Sequence, residues 1–513
     1  MRIELYDTTL RDGAGGLGIS YSTQDKTEIF NLLDDYGIDL IEGGYPSANP
    51  KDTSFFKNVN SDKLVAFCST CKADTEANND AGILGTLKHA QKVVCIFGKT
   101  SKAAAEKILK TSAENNLKMI YDSVKLFADN GKRVIFDAEH FFDSYKADRD
   151  YAIKALKAAT DAGADTLVLC DSNGGTFPSV IGKTTKEIVG LFPKQKIGIH
   201  AHNDVGMAIA SSIMAVENGA RHIQGTFLGF GERSGNANLA IIIANLKLKT
   251  DFEVDVKLAD TTKVGRKIAE ISNVTLDNSM PYIGKSAFMH KAGTHADAAA
   301  KGMPFEHINP EAVGNTTDVL LSEYSGKALI IEKLRSMFPS FDESKITAKD
   351  LLKSLKNLEL EGYQFEGADG SFKILAQKLG GNFKPSFEIL DYTFTSHKQE
   401  QGDTGLSKAV ITIKANGKTV TVEKDGNGPV NALDSALRFA LVSQFPKLKD
   451  VTLIDYKVRV IDSKRATGAT VRVLITSSDG ASTWTTVGVS TDILEASLTA
   501  LCDSFEYKLS FLD

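Results

Sequence analysis

The chain is 513 residues long, which exceeds one ordinary domain and predicts about two to four domains. With 42% hydrophobic and 24% charged residues, the composition is that of a soluble globular protein, and the apolar runs are too short to span a membrane. A net charge of −5 argues against nucleic acid or a membrane surface as the main partner. Five cysteines do not predict a disulfide framework, and the N-terminus lacks signal-peptide features, so we expect a cytoplasmic protein.

The first half of the sequence repeats one unit, a short β-rich run followed by a turn and a helix-compatible stretch. Eight of these runs are continuously apolar, as buried parallel strands are, at residues 2–7, 40–43, 64–67, 93–97, 133–137, 166–170, 196–200 and 222–226. Amphipathic segments lie between them, at residues 24–36, 101–129 and 150–162 among others. Eight β–α units in about 250 residues is the size of a (β/α)8 TIM barrel. A doubly wound sheet would use only six or seven strands, so the strand count favours the barrel.

The remainder of the chain predicts two further regions after a barrel domain at residues 1–277. Residues 278–385 combine Gly- and Pro-punctuated loops with helical segments at 325–337 and 347–358, which predicts a linker of small helical subdomains. Residues 386–513 predict an α+β domain that is large enough to fold alone. Its predicted strands lie at 409–415, 418–424, 452–462 and 469–476, and its predicted helices at 429–443 and 491–505.

The strongest chemical signal is His200-Ala201-His202 at the end of the seventh predicted strand. Residues i and i+2 of a strand face the same side, so one ion can receive both imidazoles. The alternative is two polar residues at a strand end, but active sites of TIM barrels are built at this end. Asp12 follows strand one, which only strand eight separates from strand seven in a closed barrel, and it can complete the site. One carboxylate and two imidazoles suit Zn, Mn, Co or Fe, and Mg less well.

Three other segments follow strands at the same predicted face of the barrel, and Arg11 lies beside Asp12 after strand one. Arg11 would place a fixed positive charge near the ion, and Glu139 offers a carboxylate after strand five. Ser172 offers a hydroxyl after strand six, and the glycine-rich segment after strand eight contains Glu232 and Asn236. Each segment alone would pass for a solvated loop. Their coincidence on one face predicts an active site, with Glu232 in contact with substrate and Asn236 near the ion.

These motifs resemble those of the Claisen-condensing TIM-barrel metalloenzymes, a family that includes the 2-isopropylmalate, homocitrate and citramalate synthases. The barrel signature of that family matches residues 7–13, 200–204 and 231–236, and its linker signature matches residues 290–297. The regulatory domain of its leucine-pathway members matches residues 426–434 and 484–497. The resemblance covers nearly the whole chain. Residues 42–46, 49–52 and 504–509 look most like the citramalate branch.

The resemblance implies condensation of acetyl-CoA with pyruvate and hydrolysis of the thioester, which gives citramalate and CoA for isoleucine biosynthesis. It implies a divalent ion (Zn, Mn, Co or Mg) held by the metal candidates, which are Asp12, His200, His202 and Asn236. Arg11 would stabilise the developing alkoxide, and Ser172 would bind the substrate carboxylate. Glu139 and His295 are the two candidates for the base.

The resemblance also implies partners. The linker histidine of the family comes from the partner subunit, so a homodimer with a shared active site is expected, and the C-terminal domain would bind isoleucine or leucine as a feedback effector. Two positions depart from the family pattern. Gly15 lies where the family usually has a Gln. Phe305 lies where the family often has a tyrosine, and Tyr324 would have to provide the hydroxyl group that is missing there.

Three rival functions stay open at this point. A 2-isopropylmalate synthase would differ only in accepting 2-ketoisovalerate in place of pyruvate. A pocket discriminates between substrates by only about 1–3 kcal/mol for each methylene by which they differ. An acyl-CoA lyase or aldolase would lack the module at residues 386–513. A degenerate barrel kept as an amino-acid sensor would not need Arg11, Asp12 and Glu139.

Overall fold

The computed structural model describes residues 1–290, 303, 306–316, 318–319, 348–365, 367–379, 383–397, 406–461, 468–480 and 482–512. The chain divides into two compact units. The first contains residues 1–288 and 306–316, and the second contains the described residues of 289–305 and 317–513. Among the residues described, no helix is both long and apolar enough to cross a membrane. The domain boundaries predicted at residues 277 and 385 stay predictions.

The first unit is built on a closed barrel of eight parallel strands in sequential order, which confirms the predicted fold class. The strands are β1 (Glu4–Asp7), β2 (Leu40–Gly44), β3 (Leu64–Ser69), β4 (Val93–Lys99), β5 (Arg133–Glu139), β6 (Thr166–Asp171), β7 (Lys196–Ala201) and β8 (His222–Gly225). Strand β1 pairs with both β2 and β8, and this closes the ring. Most strands continue one or two residues beyond their predicted C-terminal ends, so polar residues assigned to loops lie on strands instead.

Helices alternate with these strands. They are α1 (Thr23–Tyr36), α2 (Pro50–Asn58), α3 (Ala81–His89), α4 (Lys102–Lys107), α5 (Ala113–Asp129), α6 (Phe141–Ala147), α7 (Arg149–Asp161), α8 (Pro178–Leu191), α9 (Ala208–Glu217), α10 (Leu239–Lys249) and α11 (Thr261–Ile271). Helix α1 starts at a capping box formed by Ser22 and Asp25 and ends at Gly37, whose φ of +112° favours glycine. The single amphipathic stretch predicted at 101–129 is two helices, because Lys110 has a φ of +53° and Ser112 caps the second helix.

The second unit contains helices and antiparallel sheets, as expected for its C-terminal part. The helices are α12 (Ala348–Glu361), α13 (Asp369–Leu379), α14 (Pro429–Gln444) and α15 (Ile493–Phe511). Strands β9 (Met289–His290) and β10 (Asp318–Val319) form a short parallel pair. Two three-stranded antiparallel sheets contain β11 (Phe387–His397), β12 (Leu406–Ala415) and β13 (Lys418–Gly426), and then β14 (Thr452–Val460), β15 (Val471–Ser478) and β16 (Thr483–Ser490). The helix predicted at 325–337 lies outside the described residues.

Four strands of the second unit were not predicted from the sequence, namely the two-residue strands β9 and β10 and the longer strands β11 and β16. In β11 a register shift between Ile389 and Asp391 interrupts the apolar alternation, and most of the strand is exposed. Strand β16 is rich in Thr and contains a glycine, a composition that also suits a loop. Helix α15 packs against β16, and burial on that face fixes the strand despite its polar sequence.

A charged network links four strands at the N-terminal end of the barrel. Both Glu4 carboxylate oxygens accept hydrogen bonds from Arg133, at 2.8 Å each. Glu4 also contacts His222 Nδ1 at 2.8 Å and Lys196 Nζ at 3.2 Å. Burial alone would raise the pKa of Glu4, but His222 and Arg133 outweigh it and hold that pKa well below its ordinary value. The network therefore stabilises the folded barrel while Glu4 is ionised.

Replacing this carboxylate tests its contribution. We expect Glu4→Gln to lower the free energy of unfolding by about 3 kcal/mol at pH 7, because cationic partners lose a partly buried counter-charge. Because the pKa of Glu4 is lower in the folded state, its contribution to stability is complete above the unfolded-state pKa and is lost as the pH falls toward the folded-state pKa. The difference in stability between the unchanged protein and Glu4→Gln should therefore shrink below about pH 4. Calorimetric midpoints from pH 3 to pH 8 would measure it. Glu253→Gln, at an exposed ion pair with the N-terminus, is the matched control. Equal midpoints for the two variants would contradict the account.

Candidate active site

The C-terminal ends of the barrel strands surround a cavity of about 500 Å³. Seven of the predicted site residues line it, namely Arg11, Asp12, Glu139, Ser172, His200, His202 and Glu232. Asn236 is buried next to the site, where it forms an isolated β-bridge with His202. His295 lies outside the described residues. The cavity also brings in Asp137 and Arg233, which the sequence did not single out.

Asp12, His200 and His202 converge at one point of the cavity. Asp12 Oδ2 lies 3.4 Å from His200 Nε2 and 3.9 Å from His202 Nε2, and the two ring nitrogens are 3.4 Å apart. The two histidines share a face because they are two residues apart at the end of β7. Within the described ranges, no other group of three His, Cys, Asp or Glu side chains converges in this way.

The electrostatics of this cluster favour a positive charge. Burial would raise the pKa of Asp12, but Arg11 and His200 hold it well below its ordinary value. Burial would lower the pKa of His200, yet the neighbouring Asp12 carboxylate outweighs burial and raises it. Burial and then His200 lower the pKa of His202 to about 4, so this imidazole is neutral and its ring can act as a ligand. A cation at the point of convergence would satisfy all three groups.

Asn236 adds a fourth donor to this set. Its Nδ2 donates a hydrogen bond to the Phe230 carbonyl at 3.1 Å. Its Oδ1 is buried and has no hydrogen-bond partner among the described residues, which is costly unless something outside the chain supplies one. Gly231 makes room for this amide, because a Cβ at that position would lie 2.2 Å from Asn236 Nδ2. One carboxylate, two imidazoles and one amide oxygen fit a divalent metal ion.

Arg11 is held rigidly beside the cluster. Its Nε donates to the Glu42 carboxylate, and its Nη1 lies 3.5 Å from Asp12 Oδ2. The guanidinium lies over the Phe67 ring, 3.9 Å from the ring centroid, which is a favourable cation–π position. Glu42 is fully buried and accepts a second hydrogen bond from Tyr6, and its burial raises its pKa despite Arg11. A glutamate inside an apolar strand was the sequence signal for this partner, since a buried carboxylate requires one.

The remaining predicted residues also have partners. Glu139 forms an ion pair with Lys99, which ends β4 and was not predicted as a site residue. Ser172 Oγ accepts a hydrogen bond from the backbone N–H of His140 at 2.9 Å. Arg233 donates to the Ser172 carbonyl at 2.8 Å and to both Asp204 oxygens, so it joins three loops of the cavity rim.

The departure at Gly15 has a structural counterpart. A Cβ at Gly15 would lie 3.0 Å from Glu232 Cγ, so the aliphatic part of Glu232 occupies the space that a larger side chain would need. Glu232 is the polar side chain next to Gly15 and lines the cavity. The second departure, at Phe305, lies outside the described residues.

His200 is held on the side away from Asp12 by two residues that the sequence did not single out. Its Nδ1 lies 3.0 Å from Gln224 Oε1. Gln224 Nε2 donates to Asp137 Oδ1 at 2.8 Å, and both Gln224 and Asp137 are buried. The three residues belong to β7, β8 and β5. Strand periodicity could have found them, because Gln224 and Asp137 occupy inward positions of their strands.

Comparison with known proteins identifies the family of the chain. Three family models match consecutive parts of the chain: HMGL-like over residues 2–268, homocitrate synthase post-HMGL domain-like over residues 282–362, and LeuA allosteric (dimerisation) domain over residues 366–509. The (R)-citramalate synthase of Aquifex aeolicus is 44% identical over 99% of this chain and 98% of its own length. That of Geobacter sulfurreducens is also 44% identical, over 99% and 97%.

A more distant relative is the 2-isopropylmalate synthase of Oceanobacillus iheyensis, which is 29% identical over 90% of this chain and 88% of its own length. The family resemblance expected from the motifs is therefore confirmed along the whole sequence. The HMGL-like match covers the barrel, and the identity is 44% with these two (R)-citramalate synthases against 29% with the 2-isopropylmalate synthase. The chain belongs to the HMGL-like family and, within it, to the (R)-citramalate synthase family.

Proposed function

We propose that this chain is a condensing acyltransferase that joins acetyl-CoA to pyruvate and hydrolyses the thioester, releasing (R)-citramalate and CoA. The observation that carries the choice of acceptor is the full-length identity of 44% with (R)-citramalate synthases, against 29% with a 2-isopropylmalate synthase. In the reaction the acetyl methyl carbon loses a proton and bonds to the keto carbon of pyruvate. The keto oxygen takes up a proton, and water cleaves the thioester. The chain therefore has to position a 2-keto acid, remove one proton and stabilise negative charge on one oxygen.

We infer that Asp12, His200 and His202 hold a divalent metal ion, with Asn236 beside them. Zn, Mn, Co and Mg are the candidates, and acetyl-CoA is the co-substrate. When bound, such an ion acts as a Lewis acid and template for a 2-keto acid. The unpartnered Asn236 Oδ1 and the closely facing donors of the other three residues support this assignment.

Arg11 is the group that faces the keto oxygen in this proposal. Its guanidinium is fixed by the Glu42 carboxylate and by the Phe67 ring, so it does not have to reorganise as negative charge develops. Ser172 would bind the substrate carboxylate. Because Ser172 Oγ already accepts the His140 N–H, its own hydrogen is left to donate to that carboxylate. Glu232 reaches the cavity and is the remaining substrate-binding candidate.

Glu139 and His295 are the two candidates for the base that deprotonates the acetyl methyl group. Glu139 lines the cavity beside Lys99, with which it forms an ion pair, so its carboxyl group is placed within reach of a substrate there. His295 would come from a partner subunit of a homodimer, for which the match to the LeuA allosteric (dimerisation) domain is the support. The same match supports isoleucine or leucine as feedback effector, and the composition supports a cytoplasmic location.

The acceptor and the metal are tested together by release of CoA thiol. We expect a higher kcat/KM with pyruvate than with 2-ketoisovalerate, and activity that disappears after chelation and returns on adding Mn²⁺, Co²⁺ or Zn²⁺. A higher kcat/KM with 2-ketoisovalerate would make the chain a 2-isopropylmalate synthase. Full activity after verified metal removal would contradict the metal site.

The role of Arg11 is tested by a change that keeps its charge. Arg11→Lys retains the cation but loses the planar fork that fits Glu42 and the substrate oxygen. We expect kcat to fall about 10²–10³-fold, the magnitude found when a preorganised donor to a developing oxyanion is lost. Arg149→Lys, at an exposed ion pair with Glu187, is the matched control and should keep its kcat. A comparable kcat for the two variants would remove Arg11 from the chemistry.

The base is identified by comparing Glu139→Gln with His295→Gln. General-base catalysis contributes about 10²–10⁴-fold, so the variant that lacks the base should lose that much in kcat. Its affinity for Mn²⁺ should be unchanged, because neither residue is a proposed ligand. Glu187→Gln, which removes an exposed carboxylate, serves as control. If Glu139→Gln keeps its kcat, Glu139 is not the base.

A further inference from the structure

The hydrogen-bond chain behind His200 has a defined direction. An ionised carboxylate only accepts hydrogen bonds, so Gln224 must turn its NH2 group toward Asp137. Its carbonyl oxygen then faces His200, and a carbonyl oxygen also only accepts. The hydrogen between them therefore belongs to His200 Nδ1. In a neutral imidazole, the other nitrogen then carries the lone pair.

That other nitrogen, Nε2, is the atom that faces Asp12 and His202, at 3.4 Å from each. We propose that Asp137 and Gln224 are positioning residues that hold His200 with its hydrogen on Nδ1 and so keep Nε2 ready as a metal ligand. The inference rests on the metal-dependent function proposed above. If Asp137 were not an acceptor, the Gln224 amide could turn over and donate to Nδ1. The His200 hydrogen would then lie on Nε2 and occupy the place of the metal.

The surroundings of Asp137 support a role toward a cation. The barrel interior below it is lined by apolar side chains that include Val65, Cys95, Ile135 and Val168. Asp137 is only 4% exposed, and within the described part of the chain no Lys, Arg or His forms an ion pair with it. A buried carboxylate without a counter-charge is expensive. A metal ion bound through His200 would supply that charge at the other end of the hydrogen-bond chain.

The arrangement also explains why a neutral glutamine lies between the two groups. A carboxylate at position 224 would accept from His200 equally well but would lie against Asp137, and two adjacent buried carboxylates repel. The amide instead transmits the acceptor character of Asp137 across the barrel, from β5 to β7. Ligating histidines commonly have such a partner on their second nitrogen, and its loss typically costs 10–100-fold in metal affinity.

The test is calorimetric titration of the full-length, metal-free protein with Mn²⁺ in the absence of substrates. We expect Gln224→Met to weaken Mn²⁺ binding about 10–100-fold, because it removes the acceptor at a similar side-chain volume. In the double variant Asp137→Asn with Gln224→Glu, the new carboxylate at position 224 accepts from His200 and the new amide at position 137 donates to that carboxylate. We expect this double variant to bind Mn²⁺ with an affinity within about 3-fold of that of the unchanged protein. Cys170→Ala, which changes another cavity residue outside the hydrogen-bond chain, is the control.

Unchanged Mn²⁺ affinity in Gln224→Met would overturn the proposal. The proposal would also be overturned if the double variant bound Mn²⁺ as weakly as Gln224→Glu alone while its metal-free form had the thermal midpoint of a folded protein. If Gln224→Met fails to fold, the comparison of the double variant with Gln224→Glu decides the question. These titrations contain no keto acid, so a wrong choice of acceptor would leave their result unchanged.

Discussion

The site depends on three candidate metal-ligand atoms that face one another in a buried pocket. Asp12 Oδ2 and the Nε2 atoms of His200 and His202 all lie within 4 Å of one another, an arrangement that is unfavourable without a positive charge between them. The closed barrel enforces it, because β1 and β7 are separated only by β8. Two nearby residues complete the surroundings of the cluster. Glu42 fixes Arg11 at its edge, and the buried Asn236 Oδ1 has no hydrogen-bond partner among the described residues.

The two ends of the barrel use charge in opposite ways. At the N-terminal end, the Glu4 carboxylate is paired with Arg133, Lys196 and His222 from three other strands, so its charge is compensated within the protein. At the C-terminal end, the carboxylates of Asp12 and Asp137 are not neutralised to the same degree and lie beside a cavity. This division agrees with the general rule for TIM barrels, in which stability is concentrated at one end and chemistry at the other.

Much of this could be predicted from the sequence, because apolar runs and strand-end motifs are local signals. The eight strands and the grouping of Asp12 with His200 and His202 followed from periodicity and from barrel closure. The contacts that hold these residues did not, since Glu42, Lys99, Gln224 and Asp137 reach partners on other strands, which no local pattern specifies. Strands β11 and β16 were missed because a register shift interrupts the alternation of β11 and the Thr-rich sequence of β16 hides its alternation. The family resemblance added roles for these residues, which the geometry alone does not assign.

The most direct test of the central claim is a crystal structure of the protein grown with Mn²⁺, with anomalous scattering collected to locate the ion. The account predicts one strong peak about 2.0–2.3 Å from Asp12 Oδ2 and from the Nε2 atoms of His200 and His202, with Asn236 Oδ1 directed toward it, as typical ligand distances require. A cluster without a peak, in which the carboxylate and the imidazoles instead share protons, would contradict the account.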